Sequence, residues 1–361
     1  MFRRRKKKFI GYRAKTPMNY LLFQPVHEQL ARDPRLELRF FGKMFGRHQA
    51  RRVYELAGAE QVRLMHHFAA RYFPFDLYIS PNFSVGSPLA RTKVHTFHGV
   101  SFKNRAISFR ARKFDAVFVV GPYMQRRLVE QGVFEQGDPR MRPVGMPKLD
   151  ALLDGSLDRE AILEELGCRA DRPTVLYAPT WGAESSLHVM GEDVIRNLCG
   201  RGMNVVVKLH DSSFDPRKSH IPWVERMQDL AHPDLAVAPR GRNVVPLLFA
   251  ADVLISDASS VAYEYLLLDR PVIFLAFPGQ LDEVTEKADL ETWGRKVGAT
   301  VDDAGGIAGA VESALADPAR QSDIRRRAAG DIFYNPGSAT RHAVAEIYRL
   351  LELDPPRPPE T

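Results

Sequence analysis

Two adjacent hydroxyls, Ser259 and Ser260, stand between the apolar run DVLISD and a helical segment that leads into a second apolar run, PVIFLAF. A helix start turns free backbone N–H groups and the positive end of its dipole outward, and hydroxyls placed there add donors to a site that suits a diphosphate. A serine at such a point can equally do no more than cap the helix. Glu264, one turn further on, has the chemistry to accept hydrogen bonds from both hydroxyls of a ribose; the plain alternative is a surface carboxylate. Two more polar clusters follow apolar strands in the same half: Ala178-Pro179-Thr180-Trp181 and Lys208-Leu209-His210-Asp211. Together with Asp257 they make Thr180, Trp181, Lys208 and His210 candidates for one ligand site.

The first half carries its own cluster, His95-Thr96-Phe97-His98-Gly99-Val100-Ser101-Phe102-Lys103. His98, next to a glycine at a strand end, suits a general base because imidazole titrates near neutrality. Lys103 can neutralise phosphate, with Gly99 and Ser101 beside it; the bland reading of His98 is a loop histidine bonded to backbone. His95 alternates to the buried side of its strand and reads as structural. The pair His66-His67 reads as packing or surface.

Elements must hold these clusters at a common edge. FIGY, LELRFFG, DLYIS, KVHTF and DAVFVV read as short apolar strands, separated by helical stretches that include 49–73 and 121–132. The second half repeats the rhythm with TVLYAP, NVVVKLH, LAVAPR, DVLISD and PVIFLAF. Strand, helix, strand implies a parallel sheet with helices on both faces. Ligands of doubly wound sheets bind beyond the carboxyl ends of the strands, where all of the clusters fall. The expected fold is α/β: two Rossmann-like domains facing across a cleft, with an amphipathic C-terminal helix RHAVAEIYRLLEL and a disordered tail. The expected boundaries are 1–155 for an acceptor-side domain with a basic arm at 1–15, 156–345 for a nucleotide-donor domain, and 346–361 for the helix end and tail.

The bulk properties exclude several classes. A chain of 361 residues with 45% hydrophobic and 26% charged residues suits two ordinary globular domains. Residues 1–15 hold eight Lys or Arg and no acid, leaving 43 cations against 44 acids elsewhere. The charge of +7 therefore reports a basic arm, not a nucleic-acid-binding face. Six consecutive cations beside Phe2, Phe9 and Ile10 suit an anionic membrane surface, or a solvated tail. No apolar run is long enough to span a bilayer, which takes roughly 18–20 residues, and no apolar stretch follows the basic block as in a secretory signal. Cys168 and Cys199 form no metal-ligand pattern. Neither GxGxxG after the first strand nor GxxxxGK[ST] occurs, which removes the dinucleotide oxidoreductase and P-loop readings.

The segments HGVSFK (98–103), GPYM (121–124), PVGMPKLDAL (143–152), LYAPTW (176–181), VKLH (207–210), SDASSVAYEYLLLDRPVIF (256–274) and NPGSATRH (335–342) make the chain resemble the CDP-glycerol glycerophosphotransferase family of teichoic-acid and capsule synthesis. The resemblance covers roughly residues 90–345 and implies a GT-B-like fold. It implies transfer of a polyol phosphate, such as glycerol or ribitol phosphate, from a CDP-activated donor to an acceptor hydroxyl, with CMP leaving. No metal and no other cofactor is implied. By the same resemblance His98 takes the acceptor's proton, His210 stabilises charge on the donor phosphates, Ser259 and Ser260 hold the diphosphate, and Glu264 reaches the ribose. Thr180 and Thr340 complete the phosphate cradle. The implied partners are a membrane-associated or lipid-linked acceptor and, through the arm, the anionic inner face of the cell membrane, with no nucleic acid. The implied location is cytoplasmic and peripheral. The chain departs from the family pattern at Gly182, Asp211 and His342. Two other readings compete: a GT-B glycosyltransferase or epimerase using a UDP-sugar, and a non-catalytic binding protein with a basic arm.

Overall fold

Short runs rich in Val, Ile, Leu and aromatic residues, punctuated by Gly and Pro, build two sheets of six strands each among the described residues. The computed structural model describes residues 7–42, 47–59, 61–84, 86–97, 99–100, 107–257, 259–276 and 294–356. The first sheet contains β1 (Lys8–Arg13), β2 (Leu36–Phe41), β3 (Leu77–Ser80), β4 (Thr92–Thr96), β5 (Ala116–Val119) and β6 (Met141–Pro143), in the order β2-β1-β3-β4-β5-β6. The second contains β7 (Thr174–Tyr177), β8 (Asn204–Val207), β9 (Leu235–Val237), β10 (Val253–Ser256), β11 (Val272–Leu275) and β12 (Ala299–Val301), in the order β12-β11-β10-β7-β8-β9. All ten pairings are parallel, with Leu254 opposite Leu176 and Val206 opposite Leu176 at the centre of the second sheet. β7, β8, β10 and β11 are buried along their whole length. That explains why they read as continuous apolar runs and not as alternating ones.

The chain divides into two units. The first holds β1–β6 and the C-terminal helix Ala339–Leu350, whose Ala343, Ile347 and Tyr348 pack into a core with Ile10, Tyr12, Phe40 and Ile79. The second holds β7–β12, with a core of Val175, Tyr177, Val205, Val253, Ile255 and Ile273 under the helices Ser186–Leu198 and Ile307–Ala316. Each fully buried Val, Leu or Ile contributes about 1.5–3 kcal/mol, so each unit has its own driving force for folding.

Three expectations change. The division falls at Asp150/Ala151, five residues before the expected boundary, and the chain returns to the first unit at Asp331. Residues 331–345, expected in the donor domain, therefore belong to the first unit. The cause is specific bonding. The Arg126 guanidinium holds both carboxylate oxygens of Asp331 at 2.6 and 2.7 Å, and the Asn335 amide donates to the Pro143 carbonyl at 2.7 Å. The stretch 49–73, expected to be largely helical, is two helices, Arg47–Glu55 and His67–Tyr72. Between them Gly58 takes φ +69° and Leu64 pairs in parallel with Phe40. β6 and β12 are three-residue edge strands that left no periodic signal.

Candidate functional site

In the second sheet the strand order reverses between β7 and β10, and β8 lies on the other side of β7. Ligands bind beyond the carboxyl ends of the strands at such a reversal. The loops after β10, β7 and β8 carry Asp257–Ser260, Thr180–Trp181 and Lys208–Asp211.

Asp257 joins the first two of these loops. It is 2% exposed. Its Oδ1 accepts the Thr180 N–H at 2.8 Å, and its Oδ2 accepts both the N–H and the hydroxyl of Ser186 at 2.9 Å. The Ser186 hydroxyl in turn lies 2.9 Å from the Tyr177 phenol. Charge-assisted bonds of this kind are roughly twice as strong as neutral ones. Asp257, expected among the donor-site residues, is a buried clamp that fixes the loops after β7 and β10 and the start of the helix Ser186–Leu198. Thr180 contributes its backbone to this clamp.

Trp181 links the second and third loops. It is 42% exposed, and its ring stacks on that of His210 with centroids 5.9 Å apart and planes 25° off parallel. His210 Nδ1 accepts the Ser212 N–H at 3.1 Å, which puts the proton of the neutral ring on Nε2. Crowding of the ring by protein lowers its pKa to about 4, opposed by Asp211 and assisted by Lys208 and Lys218. The residue keeps an exposed surface, and with or without the full shift the ring is neutral at pH 7. His210 thus presents an Nε2–H donor, not a fixed cation. Lys208 is 9% exposed; its Nζ donates to the Leu209 carbonyl at 2.8 Å and lies 3.7 Å from Asp211 Oδ1. Burial lowers its pKa, and Asp211 pulls it back up.

A prediction follows from the sign of the His210 shift. In the ligand-free protein the ring should titrate below the ordinary 6.5, and an anion bound beside it should raise its pKa, because negative charge nearby favours imidazolium. Histidine proton NMR across pH 4–8 checks it; titration at or above 6.5 in the ligand-free protein would refute the reading.

Ser260 precedes the short helix Val261–Glu264, and its side chain makes no capping bond. Ser259 Oγ receives the Val261 N–H only at a long 3.4 Å. The capping explanation therefore does not account for Ser260, and both residues remain half-buried. Glu264 is 1% exposed, which excludes the surface-carboxylate alternative. Sequence reasoning missed Arg295, on the turn Gly294–Val297. Burial lowers its pKa, while Tyr263 and Asp257 favour its charged form, so a cation stands beside the loop after β10. A single arginine in LETWGRKVG carries no signal of this.

In the first unit Gly99 is half-buried, whereas His98, Ser101 and Lys103 lie outside the described residues. His95 is 1% exposed; its Nδ1 lies 3.1 Å from the Ser80 carbonyl, and its ring stacks on Phe83 at 4.4 Å. Its structural reading agrees with this. Thr340, expected in the phosphate cradle, is tied to Pro147 and Asp150. It belongs to the first unit, is 5% exposed, and gives its N–H to Asp150 Oδ2 at 2.7 Å and its hydroxyl to the Pro147 carbonyl at 3.4 Å. Asp150 Oδ1 also takes the Ala339 N–H at 2.9 Å. The first N–H groups of the helix Ala339–Leu350 are thus taken by a carboxylate of the same unit. Among the described residues no group of His, Cys, Asp and Glu could hold a metal ion.

Comparison with known proteins places this arrangement. The chain is 29% identical to the teichoic acid glycerol-phosphate primase of Bacillus spizizenii over 186 residues, 48% of this chain and 44% of that protein. It is 24% identical to the teichoic acid poly(glycerol phosphate) polymerase of Staphylococcus epidermidis, over 52% of this chain and 29% of that one. The chain thus spans less than half the length of these curated relatives. Its fold is similar to that of the wall teichoic acid polymerase TagF, with a TM-score of 0.65, 14% identity, and coverage of 96% of this chain and 89% of that one. It is also similar to a structure described as a putative UDP-N-acetylglucosamine 2-epimerase from Listeria monocytogenes, with a TM-score of 0.64, 15% identity, and coverage of 97% and 98%. Both likenesses agree with the GT-B-like α/β fold expected from the sequence. Residues 51–290 match the family described as CDP-Glycerol:Poly(glycerophosphate) glycerophosphotransferase, and the chain belongs to that family.

Proposed function

We propose that the chain transfers a polyol phosphate from a CDP-activated donor to an acceptor hydroxyl in the synthesis of an envelope glycopolymer. One observation supports this most: three loops at the carboxyl edge of β10, β7 and β8 are tied together by Asp257 and by the Trp181–His210 stack, and they carry hydroxyl, imidazole and ammonium groups suited to a diphosphate. Ser259 and Ser260 take the bridging phosphates, with Lys208 and neutral His210 as further donors; Glu264 takes the ribose. The acceptor oxygen attacks the phosphorus that bears the polyol, and the bond from that phosphorus to the CMP oxygen breaks. The acceptor proton passes to His98. Positioning and charge neutralisation supply most of the rate enhancement. The cations ahead of β1, and not the buried Arg13 at its end, draw the chain to an anionic bilayer, where a lipid-linked acceptor resides. Among the described residues no helix is long and apolar enough to cross a membrane.

A donor screen tests the proposal. The chain is mixed with CDP-glycerol, CDP-ribitol or a UDP-sugar and a glycerol-phosphate lipid in anionic vesicles, and nucleotide release is followed. CMP should be released from a CDP-polyol, and replacing His98 by alanine should slow release about 100-fold or more, the usual range for a general base. Consumption of the UDP-sugar instead would favour the epimerase-like chemistry that the same fold also serves. Removal of residues 2–8 should weaken vesicle binding at low salt and change little at high salt; equal binding at low salt would leave the arm a solvated tail.

A further inference from the structure

The first sheet has a reversal point of its own, between β1 and β3. Arg13 is the last residue of β1, and Ser84 lies on the loop that follows β3. Arg13 is 8% exposed. Its Nη1 donates to Ser84 Oγ; among the described residues this is its one side-chain hydrogen bond, and the buried Nε has no partner there. A guanidinium has five N–H donors, and no carboxylate among the described residues pairs with this one. A buried charge left in that state is costly.

Arg325, the other buried arginine among the described residues, shows what a structural guanidinium does in this chain. It is 1% exposed and donates to Asp269 Oδ1 and to the carbonyls of Asp269, Arg320 and Pro318, at 2.5–3.0 Å. Arg13 has none of this compensation, yet its surroundings are firmly built. Tyr78 donates its phenol to the Ser84 carbonyl at 2.8 Å and accepts the Gly86 N–H at 3.1 Å. A Cβ at Gly86 would stand 3.0 Å from that phenol oxygen and 3.1 Å from Arg13 Cδ, so the loop is pressed against the arginine. Asn19 accepts from the Lys15 N–H at 3.0 Å and from the Asn82 amide at 3.1 Å, tying the chain after β1 to the loop after β3. A second buried polar atom without a partner, His67 Nδ1, belongs to a ring whose pKa is lowered by burial and next by the charge of Arg13.

We propose that the carboxyl ends of β1 and β3 form a phosphate-binding site in which the unclaimed N–H groups of Arg13 grip the oxygens of a phosphate ester. This rests on the proposed function only for the choice of probe, a polyol phosphate. The phosphate can belong to an acceptor end or to the donor, and the experiment separates the two.

Binding of glycerol 3-phosphate to the full chain is measured by calorimetry, with chloride at equal ionic strength as the blank. The native protein should bind, and Arg13→Gln should weaken binding at least tenfold without lowering the melting temperature of the ligand-free protein, since it removes an uncompensated charge. Equal affinity in the variant, or no binding by the native protein, would overturn the site. If the variant does not fold, the Arg13 Nε–H resonance of the native protein decides: it should shift on titration, and a resonance that stays in place refutes the proposal. Saturating CDP should compete if the phosphate is the donor's and leave binding intact if it is the acceptor's. The measurement needs no turnover, so failure of the donor screen and failure of this site are told apart.

Discussion

Asp257→Ala is expected to reduce CMP release at least about 1,000-fold and to lower the melting temperature of the second unit by about 10 °C. Among the described residues the carboxylate accepts three hydrogen bonds, in a site that is 2% exposed. Hydrogen bonds to charged groups contribute about 1.5–3 kcal/mol each, and buried donors left without a partner add their own desolvation cost. Water entering the vacated space recovers part of this, leaving a loss of about 3–5 kcal/mol. At about 2–4 °C per kcal/mol for a unit of this size, that is a shift of roughly 10 °C. The loss in turnover exceeds the loss in stability because the freed loops carry Trp181 at one end and Ser259 and Ser260 at the other. Asp257→Asn keeps the shape but replaces one acceptor with a donor facing N–H or O–H groups, so it should fail nearly as badly. Calorimetry and nucleotide release on both variants check this. A variant with native melting and native turnover would show that the clamp does not organise the site.

This clamp also marks the limit of what sequence could reveal. The buried strands were legible because parallel strands covered on both faces are continuous apolar runs, as in TVLY, NVVV and VLIS. The three polar clusters were legible because each directly follows such a run. The task of each side chain was not. Asp257 and Thr340 are polar residues at loop or helix starts, the kind of place where ligands bind, but both are turned into the protein by partners 77 and 190 residues away in sequence. Local pattern carries no trace of such partners. The same holds for residues 331–345. NPGSATRH reads as a loop before a helix, and only its bonds to Pro143, Val144 and Asp150 assign it to the first unit. Arg13 lay within a run of cations that read as a single basic arm, although the chain has already entered β1 at Lys8, and burial, not charge, sets Arg13 apart.

That return of the chain to the first unit underlies the second large effect, at Gly145. This glycine holds φ +96°, and a Cβ built on it would stand 2.2 Å from the Tyr334 carbonyl oxygen and 2.9 Å from the Ala339 Cβ. Its own N–H is bonded to the Val119 carbonyl at 3.0 Å, so it cannot move aside without breaking the end of β5. Gly145→Ala must therefore push apart the two segments joined by Asn335 and Asp150, exposing two buried N–H groups of the helix Ala339–Leu350 and loosening Ala343 and Ile347 from the core. A loss above about 3 kcal/mol is expected, from strain, orphaned donors and lost packing together. Gly132 provides the control: it also has a positive φ, +64°, but a Cβ there meets nothing within 4 Å. Gly132→Ala should cost only the backbone term of about 1–2 kcal/mol. Because the second unit has its own core, CDP affinity should survive Gly145→Ala at temperatures where the first unit has melted. Joint loss of nucleotide binding and first-unit structure would instead mean that the two units fold as one.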